Sequence, residues 1–296
     1  MALPARTVGQ GFPSLAPSKP ASSLLATTSA ALPISSGCPS LDSLLSIHGD
    51  GLPPASILEL LGPPGVGKTR TALGFAINPR FGALERGDSE GEVLVVDAEG
   101  SLSPTLLHDT ADLYAEHNHR GPTSATEVCQ GIHYRRIYDA SLLVAFFYSL
   151  PTWLAEHREV NLIILDSLSS HLRPTSLDLN TKNLLFNLIK STLSLVTAQY
   201  GVSVITTTYL SLKLFSPEGL PSHFTQRNAE ALLIPQLADS WIPVSRGGGG
   251  EVKRVVLYFD EHGERMAHLV ASTSPARVTS VGFTMDALGP CDHPPV

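Results

Sequence analysis

From residue 37 onward, short wholly apolar runs alternate with longer stretches whose apolar residues recur every three or four positions. The runs predict strands over residues 56–61, 92–99, 132–138, 161–167 and 202–209. The stretches between them predict helices over 68–77, 104–117, 140–157 and 181–200. Residues 93–96 and 162–165 are apolar without a break, as strands covered on both faces require. Such alternation predicts an α/β fold with a mainly parallel, twisted sheet flanked by helices. Beyond Pro243 the period shortens to two over 251–259, 266–272 and 278–285, with a turn at 261–264, which predicts a C-terminal antiparallel meander.

The first 36 residues break this pattern. They contain no acid, two bases (Arg6 and Lys19) and are dominated by Ala, Pro, Ser and Thr, so they lack the means to bury a core. The expected organisation is a disordered tail over 1–36, one core over 37–288 and a short disordered C-terminus over 289–296. An acid-free, Ser-rich start also suits a mitochondrial leader, although Pro4, Pro13, Pro17 and Pro20 oppose the amphipathic helix of such signals. The apolar run over 141–154 contains Pro151 and falls short of the roughly 20 residues a bilayer-spanning helix needs.

Composition narrows the function. With 43% hydrophobic and 16% charged residues, the 296-residue chain reads as globular. Its net charge is −7, and removing the tail's two bases leaves −9 on the rest. A chain this acidic does not coat nucleic acid by bulk electrostatics, so any DNA contact must come from a local cluster. Cys38, Cys129 and Cys291 form no CxxC pair and no even-numbered framework, which fits a reducing compartment.

Immediately after the first strand stand Gly62, Pro63, Pro64, Gly65, Val66, Gly67, Lys68 and Thr69, a complete GxxxxGK[ST] phosphate loop. Its glycines let backbone N–H groups turn inward around phosphate oxygens, and the following helix adds the positive end of its dipole. Lys68 is the expected partner of the β- and γ-phosphates of ATP, Thr69 an expected Mg²⁺ ligand, and Arg70 completes the nucleotide-binding set. The second acid such a site needs is supplied by Asp166, which ends the apolar run 162–165. It is the expected second anchor for Mg²⁺, through water or Thr69. At the end of the second strand, Asp97 and Glu99 are expected on one side of the backbone, and Glu99 is the candidate general base for an attacking water, acting with Lys68.

These residues together resemble the eukaryotic RecA-type strand-exchange recombinases. The resemblance rests on the segment 37–42, the phosphate loop, Asp97-Ala98-Glu99-Gly100-Ser101 and the stretch 162–173, and runs from about residue 37 to 288. Within the family it is most similar to the C-type paralogue, through Ile132-His133-Tyr134, Leu150-Pro151, residues 154–157 and residues 233–241. The resemblance implies a RecA-like P-loop ATPase core that uses ATP and Mg²⁺. It implies a nuclear recombination mediator in double-strand break repair, with mitochondrial residence as the alternative. Its partners would be other recombinase paralogues, the strand-exchange recombinase, and single-stranded or branched DNA, with no membrane. It also implies two DNA-facing loops, roughly 167–181 and 209–240, whose candidate contacts are Arg173, Lys213 and Arg227.

The chain departs from the family in two places. Where the fifth strand would end in Asn-Gln, whose amide senses the γ-phosphate, this chain has Thr207 and Thr208. Where arginines would hold the adenine, it has Ser103 and Leu106. Both departures point to an accessory paralogue with looser nucleotide coupling. The alternative reading is a non-catalytic scaffold with a degenerate ATP site.

Overall fold

Strands apolar on both faces must lie inside a sheet covered on both sides, and the computed structural model, which describes residues 32–46, 48–87, 91–118, 123–172, 178–216, 230–235, 251–270 and 279–292, arranges them so. Its strands are β1 (Ile57–Gly62), β2 (Glu92–Asp97), β3 (Ile132–Arg136), β4 (Val160–Asp166), β5 (Ser203–Phe215), β6 (Glu230–Pro235), β7 (Val252–Phe259), β8 (Arg265–Val270), β9 (Ser280–Met285) and β10 (Pro290–Cys291). Across the sheet they run β10-β9-β8-β7-β1-β5-β4-β2-β3, and β6 adds to β5. From β7 to β3 neighbours are parallel, whereas β8, β9 and β10 extend β7 antiparallel. The expected α/β architecture with its C-terminal antiparallel meander is therefore present, and β7 inserts the meander beside β1.

Helices cover both faces. On one lie α1 (Pro39–Leu45), α2 (Lys68–Arg86), α3 (Pro104–Asn118) and α4 (Ala125–Gln130). Leu73, Phe75, Ile77 and Phe81 of α2 enter a core with Leu58 and Leu60 of β1 and Val93 and Val95 of β2. On the other lie α5 (Ala140–Glu156), the single turn α6 (Ser169–Leu172) and α7 (Leu179–Tyr200). There Phe146, Phe147, Ile189 and Leu193 pack on Leu94, Val96, Ile163 and Val204. Burying a side chain of this size contributes about 1.5–3 kcal/mol. The Asp139 carboxylate caps α5 by accepting from the Leu142 N–H at 2.8 Å, and that of Asp178 caps α7 through the Thr181 N–H at 2.7 Å.

Several boundaries differ from expectation for tertiary reasons. The helix expected to stop at Ile77 continues through Pro79 to Arg86, because Arg80, Phe81 and Ala83 keep burying its inner face. The strand expected to end at Tyr209 runs to Phe215, since Leu210 to Phe215 pair antiparallel with Pro235 to Glu230. The expected loop over 209–240 thus opens on paired strands. The second strand stops at Asp97 rather than 99. Ile34, within the expected tail, bridges Leu52, and Pro290–Cys291, within the expected disordered C-terminus, pairs with β9. Among the described residues no helix is long and apolar enough to cross a membrane.

Candidate nucleotide site

In parallel sheets, ligands bind beyond the carboxyl ends of the strands where helices depart to opposite faces. The register here aligns those ends: Gly62 of β1 lies level with Tyr209 of β5, and Asp97 of β2 level with Asp166 of β4. Between β1 and α2, residues 63–67 form the predicted loop. Gly65 and Gly67 adopt left-handed φ of +81° and +110°, a region that costs any other residue about 1–2 kcal/mol. A Cβ on Gly65 would point into open space, whereas one on Gly67 would collide with the Met285 methyl. Gly67 caps α2 without a side-chain hydrogen bond, so the first-turn N–H groups of a 19-residue helix face the loop with no side chain bonded across them. A cup of this kind, with its dipole end open, fits a phosphate chain.

Lys68 is 6% exposed, and its ammonium donates to the Gly62 and Pro63 carbonyls, both at 2.9 Å. The same Nζ lies 4.2 Å from the centre of the Tyr209 ring. Burial pulls this ammonium down to about 8, against the opposing charges of Asp166 and Glu99.

Thr69, Asp166 and Ser101 meet behind the loop. Thr69 Oγ1 donates to Asp166 Oδ2 at 2.9 Å, Ser101 Oγ to the same oxygen at 2.7 Å, and Thr207 Oγ1 to Oδ1. The peptide joining Asp166 to Ser167 is cis. With 1% exposure, Asp166 is pushed upward by desolvation, and the three hydroxyls hold it down in part. A buried carboxylate facing a hydroxyl at a loop mouth is the oxygen donor set a hard divalent cation takes. Among the described residues there is no group of three or more His, Cys, Asp or Glu side chains for a metal, so a Mg²⁺ ion here would draw most of its ligands from phosphate and water.

The two acids expected together part company. Asp97, inside β2, accepts from the Glu99 and Gly100 N–H groups at 3.1 and 2.6 Å, pairs with Arg136 at 2.9 Å and accepts from Tyr134 at 3.0 Å. It builds the turn. Glu99, two residues beyond the pleat, accepts instead from the Tyr209 hydroxyl at 2.6 Å. Burial and Glu99 raise the Tyr209 phenol, so it remains a donor at neutral pH.

Sequence reasoning missed Tyr209, Thr207 as an Asp166 donor, and an ion pair beneath the site. Glu59, 0% exposed in mid-β1, accepts from Thr208 at 2.8 Å and pairs with Arg254 of β7 at 2.6 Å. An acid inside the apolar run of β1 was its signal, because such a charge demands a partner. Ser103, at the place of a family arginine, accepts from the Leu106 N–H at 3.1 Å and starts α3. Arg70 donates to the Ala287 carbonyl at 2.8 Å. Of the DNA-facing candidates, Arg173 and Arg227 lie outside the described residues, and Lys213 sits opposite Leu232 in the β5–β6 pair.

A family model described as Rad51 matches residues 27–226. The chain belongs to the Rad51 family. It is 26% identical over 250 residues, 80% of the chain, to the "DNA repair protein RAD51 homolog 3" of Dictyostelium discoideum. To the protein of the same name from Cricetulus griseus it is 27% identical over 266 residues, 83% of the chain. It spans 60% and 66% of the length of these two relatives. The "DNA repair protein RAD51" of Mycosarcoma maydis is 29% identical over 137 residues, covering 46% of the chain and 37% of that protein. The resemblance to the C-type paralogue accords with the first two. The Rad51-family match covers the loop, both acids and the whole of β5.

Proposed function

We propose that this Rad51-family chain binds ATP with Mg²⁺ at residues 62–70 and acts as a mediator subunit in homologous recombination and double-strand break repair. The observation that carries the reading is the convergence of Lys68, Thr69 and Asp166 at the mouth of the glycine loop. The names of the two RAD51 homolog 3 relatives, both DNA repair proteins, supply the process. When bound, Mg²⁺–ATP supplies a phosphoanhydride and the metal charge that neutralises it. Lys68 brings a positive charge to the cup, Thr69 and Asp166 offer oxygen ligands, and Glu99, once clear of Tyr209, is the base that orients a water. Hydrolysis in this reading is slow and DNA-dependent.

Arg173, Lys213 and Arg227 are the proposed DNA contacts. So few bases on an acidic core give weak, salt-sensitive binding, so the chain works beside other recombinase paralogues and the strand-exchange recombinase, in the nucleus. The division into a tail and one ATPase core belongs to the same proposal.

The engagement of Lys68 by loop carbonyls and of Glu99 by Tyr209 favours a second reading, a scaffold in which nucleotide only stiffens an interface. Turnover of the full chain, alone and with co-purifying partners, separates the two. A DNA-stimulated rate lost in Lys68→Ala supports the mediator ATPase, and identical rates in both forms leave the scaffold.

A further inference from the structure

The turn after β2 carries two side chains of the site, Glu99 bonded to Tyr209 and Ser101 to Asp166. Residue 98 is pinned to the next strand: its N–H donates to the Asp166 carbonyl at 2.7 Å, and its carbonyl accepts from Ser170 Oγ at 3.0 Å. Beyond it the backbone is held by the Asp97 carboxylate, whose Oδ1 takes the N–H groups of Glu99 and Gly100. The direction of that carboxylate therefore sets where residues 99–101 lie.

The cation that fixes it comes from β3, at the end of the sheet. Arg136 Nη1 lies 2.9 Å from Asp97 Oδ1 and donates to the Asp97 carbonyl at 3.0 Å, so one nitrogen ties the side chain to the backbone of the residue that builds the turn. The rest of the guanidinium lies against Gly100, where a Cβ would stand 2.9 Å from Nη2 and 3.4 Å from Cζ. Its Cζ is also 5.2 Å from the centre of the Tyr138 ring. Asp97 is 1% exposed, and away from water a charge-assisted bond holds a carboxylate firmly.

We propose that Arg136 is a positioning residue, which from β3 clamps the turn that carries Glu99 and Ser101 and so sets the placement of the candidate base. This rests on the ATP-hydrolysing reading and deepens it. Tyr209 holds the Glu99 carboxylate, and Arg136, through Asp97, holds the Glu99 backbone. The phosphate loop over 62–69 stands on a different strand and helix, β1 and α2. Loss of the clamp therefore moves the base relative to that loop and leaves the loop itself intact.

The test uses the full chain with co-purifying partners and DNA, as native, Arg136→Met and Arg136→Lys. Steady-state turnover of Mg²⁺–ATP reads kcat and KM per folded molecule, and hydrogen exchange reads residues 98–101. In Arg136→Met, kcat falls about tenfold or more while KM stays within about twofold of native. Exchange rises at Glu99 and Gly100 and stays native in the phosphate loop. Arg136→Lys keeps a cation beside Asp97 and loses the packing on Gly100, so its kcat falls by a smaller factor, and it serves if the methionine form does not fold. Native kcat in both variants overturns the clamp, as does a kcat loss matched by an equal rise in KM. A lowered melting point with native turnover per folded molecule overturns it too, because Arg136 then supports the fold alone. If the native chain turns over no ATP, the hydrolytic reading fails by itself, and exchange at 98–101 decides the clamp: unchanged exchange in the variants overturns it, and a local rise upholds it.

Discussion

Thr69 and Asp166 stand 97 residues apart in the chain, and the hydroxyl of one donates to the carboxylate of the other at 2.9 Å. The hydrogen bond crosses an intervening strand, since β5 separates β1 from β4. Thr207, on that strand, donates to the second oxygen of the same carboxylate. Asp166 is therefore gripped by the helix after β1, by β5 and by Ser101 after β2, which makes it the point where the carboxyl ends of four strands are tied together.

The cost of holding Asp166 ionised yields a first expectation. Its folded pKa is raised, so the folded state binds more protons than the unfolded one just above the ordinary carboxylate range. The stability it withholds is lost as pH rises through that window and stays lost at neutral pH. Asp166→Asn, with no charge to desolvate and hydroxyls that can reorient, should melt higher than native in metal-free buffer at neutral pH, by a few degrees. The same variant should lose the extra stabilisation that Mg²⁺–nucleotide gives the native chain. Differential scanning calorimetry with and without Mg²⁺–nucleotide checks both, and a metal-free melting point below native contradicts the first.

Lys68 gives a prediction of pH dependence. Its folded pKa, lowered by burial to about 8 from 10.5, means that the unfolded state binds more protons between those values. Stability should therefore rise with pH across about 8 to 10.5, relieving a burden of about 3 kcal/mol that is fully present below 8. Urea midpoints of native and Lys68→Met chains, measured in metal-free buffer, should converge over that interval after differing at neutral pH, with the methionine form the more stable. Parallel midpoints at all pH values would contradict it.

The phosphate loop separates two glycines that sequence treats alike. Gly65→Ala incurs only left-handed backbone strain, about 1–2 kcal/mol, because its Cβ meets nothing within 4 Å. Gly67→Ala adds a collision with the Met285 methyl, so it should cost more. Met285→Ala should recover part of the loss for Gly67→Ala and none for Gly65→Ala, read as differences in chemical denaturation midpoints.

Glu59, fully buried, and Arg254, 19% exposed, form an ion pair beneath the site. Removing the guanidinium takes a cation from a fully buried carboxylate that keeps the Thr208 hydroxyl, so Arg254→Met should destabilise the fold by at most about 3–5 kcal/mol. A Glu59→Gln, Arg254→Met double variant should be more stable than Arg254→Met alone, because the buried Glu59 charge is then gone as well. A double-mutant cycle by urea denaturation gives the coupling, and additive losses would show that the pair acts through other contacts.

The phosphate loop, the alternation of the first five strands with α2, α3, α5 and α7, the buried character of β2 and β4, and the terminal meander were legible in the amino-acid sequence, whereas α1, α4 and β6 were not. Each legible feature is written locally: glycine positions set the loop's backbone, and apolar period sets the element. What only the tertiary structure decided is which distant residues share a site. Tyr209 reaches Glu99 across 110 residues, Thr208 reaches Glu59 across 149, and Arg254 reaches Glu59 across 195. Those meetings follow from β5 lying between β1 and β4 and β7 lying beside β1, in a register fixed by pairing and by helix packing over the whole sheet. The same cause extended β5 past Tyr209 and took Glu99 out of the pleat that holds Asp97. A period of two or 3.6 says which face a residue takes within its own element, and strand order belongs to the sheet as a whole.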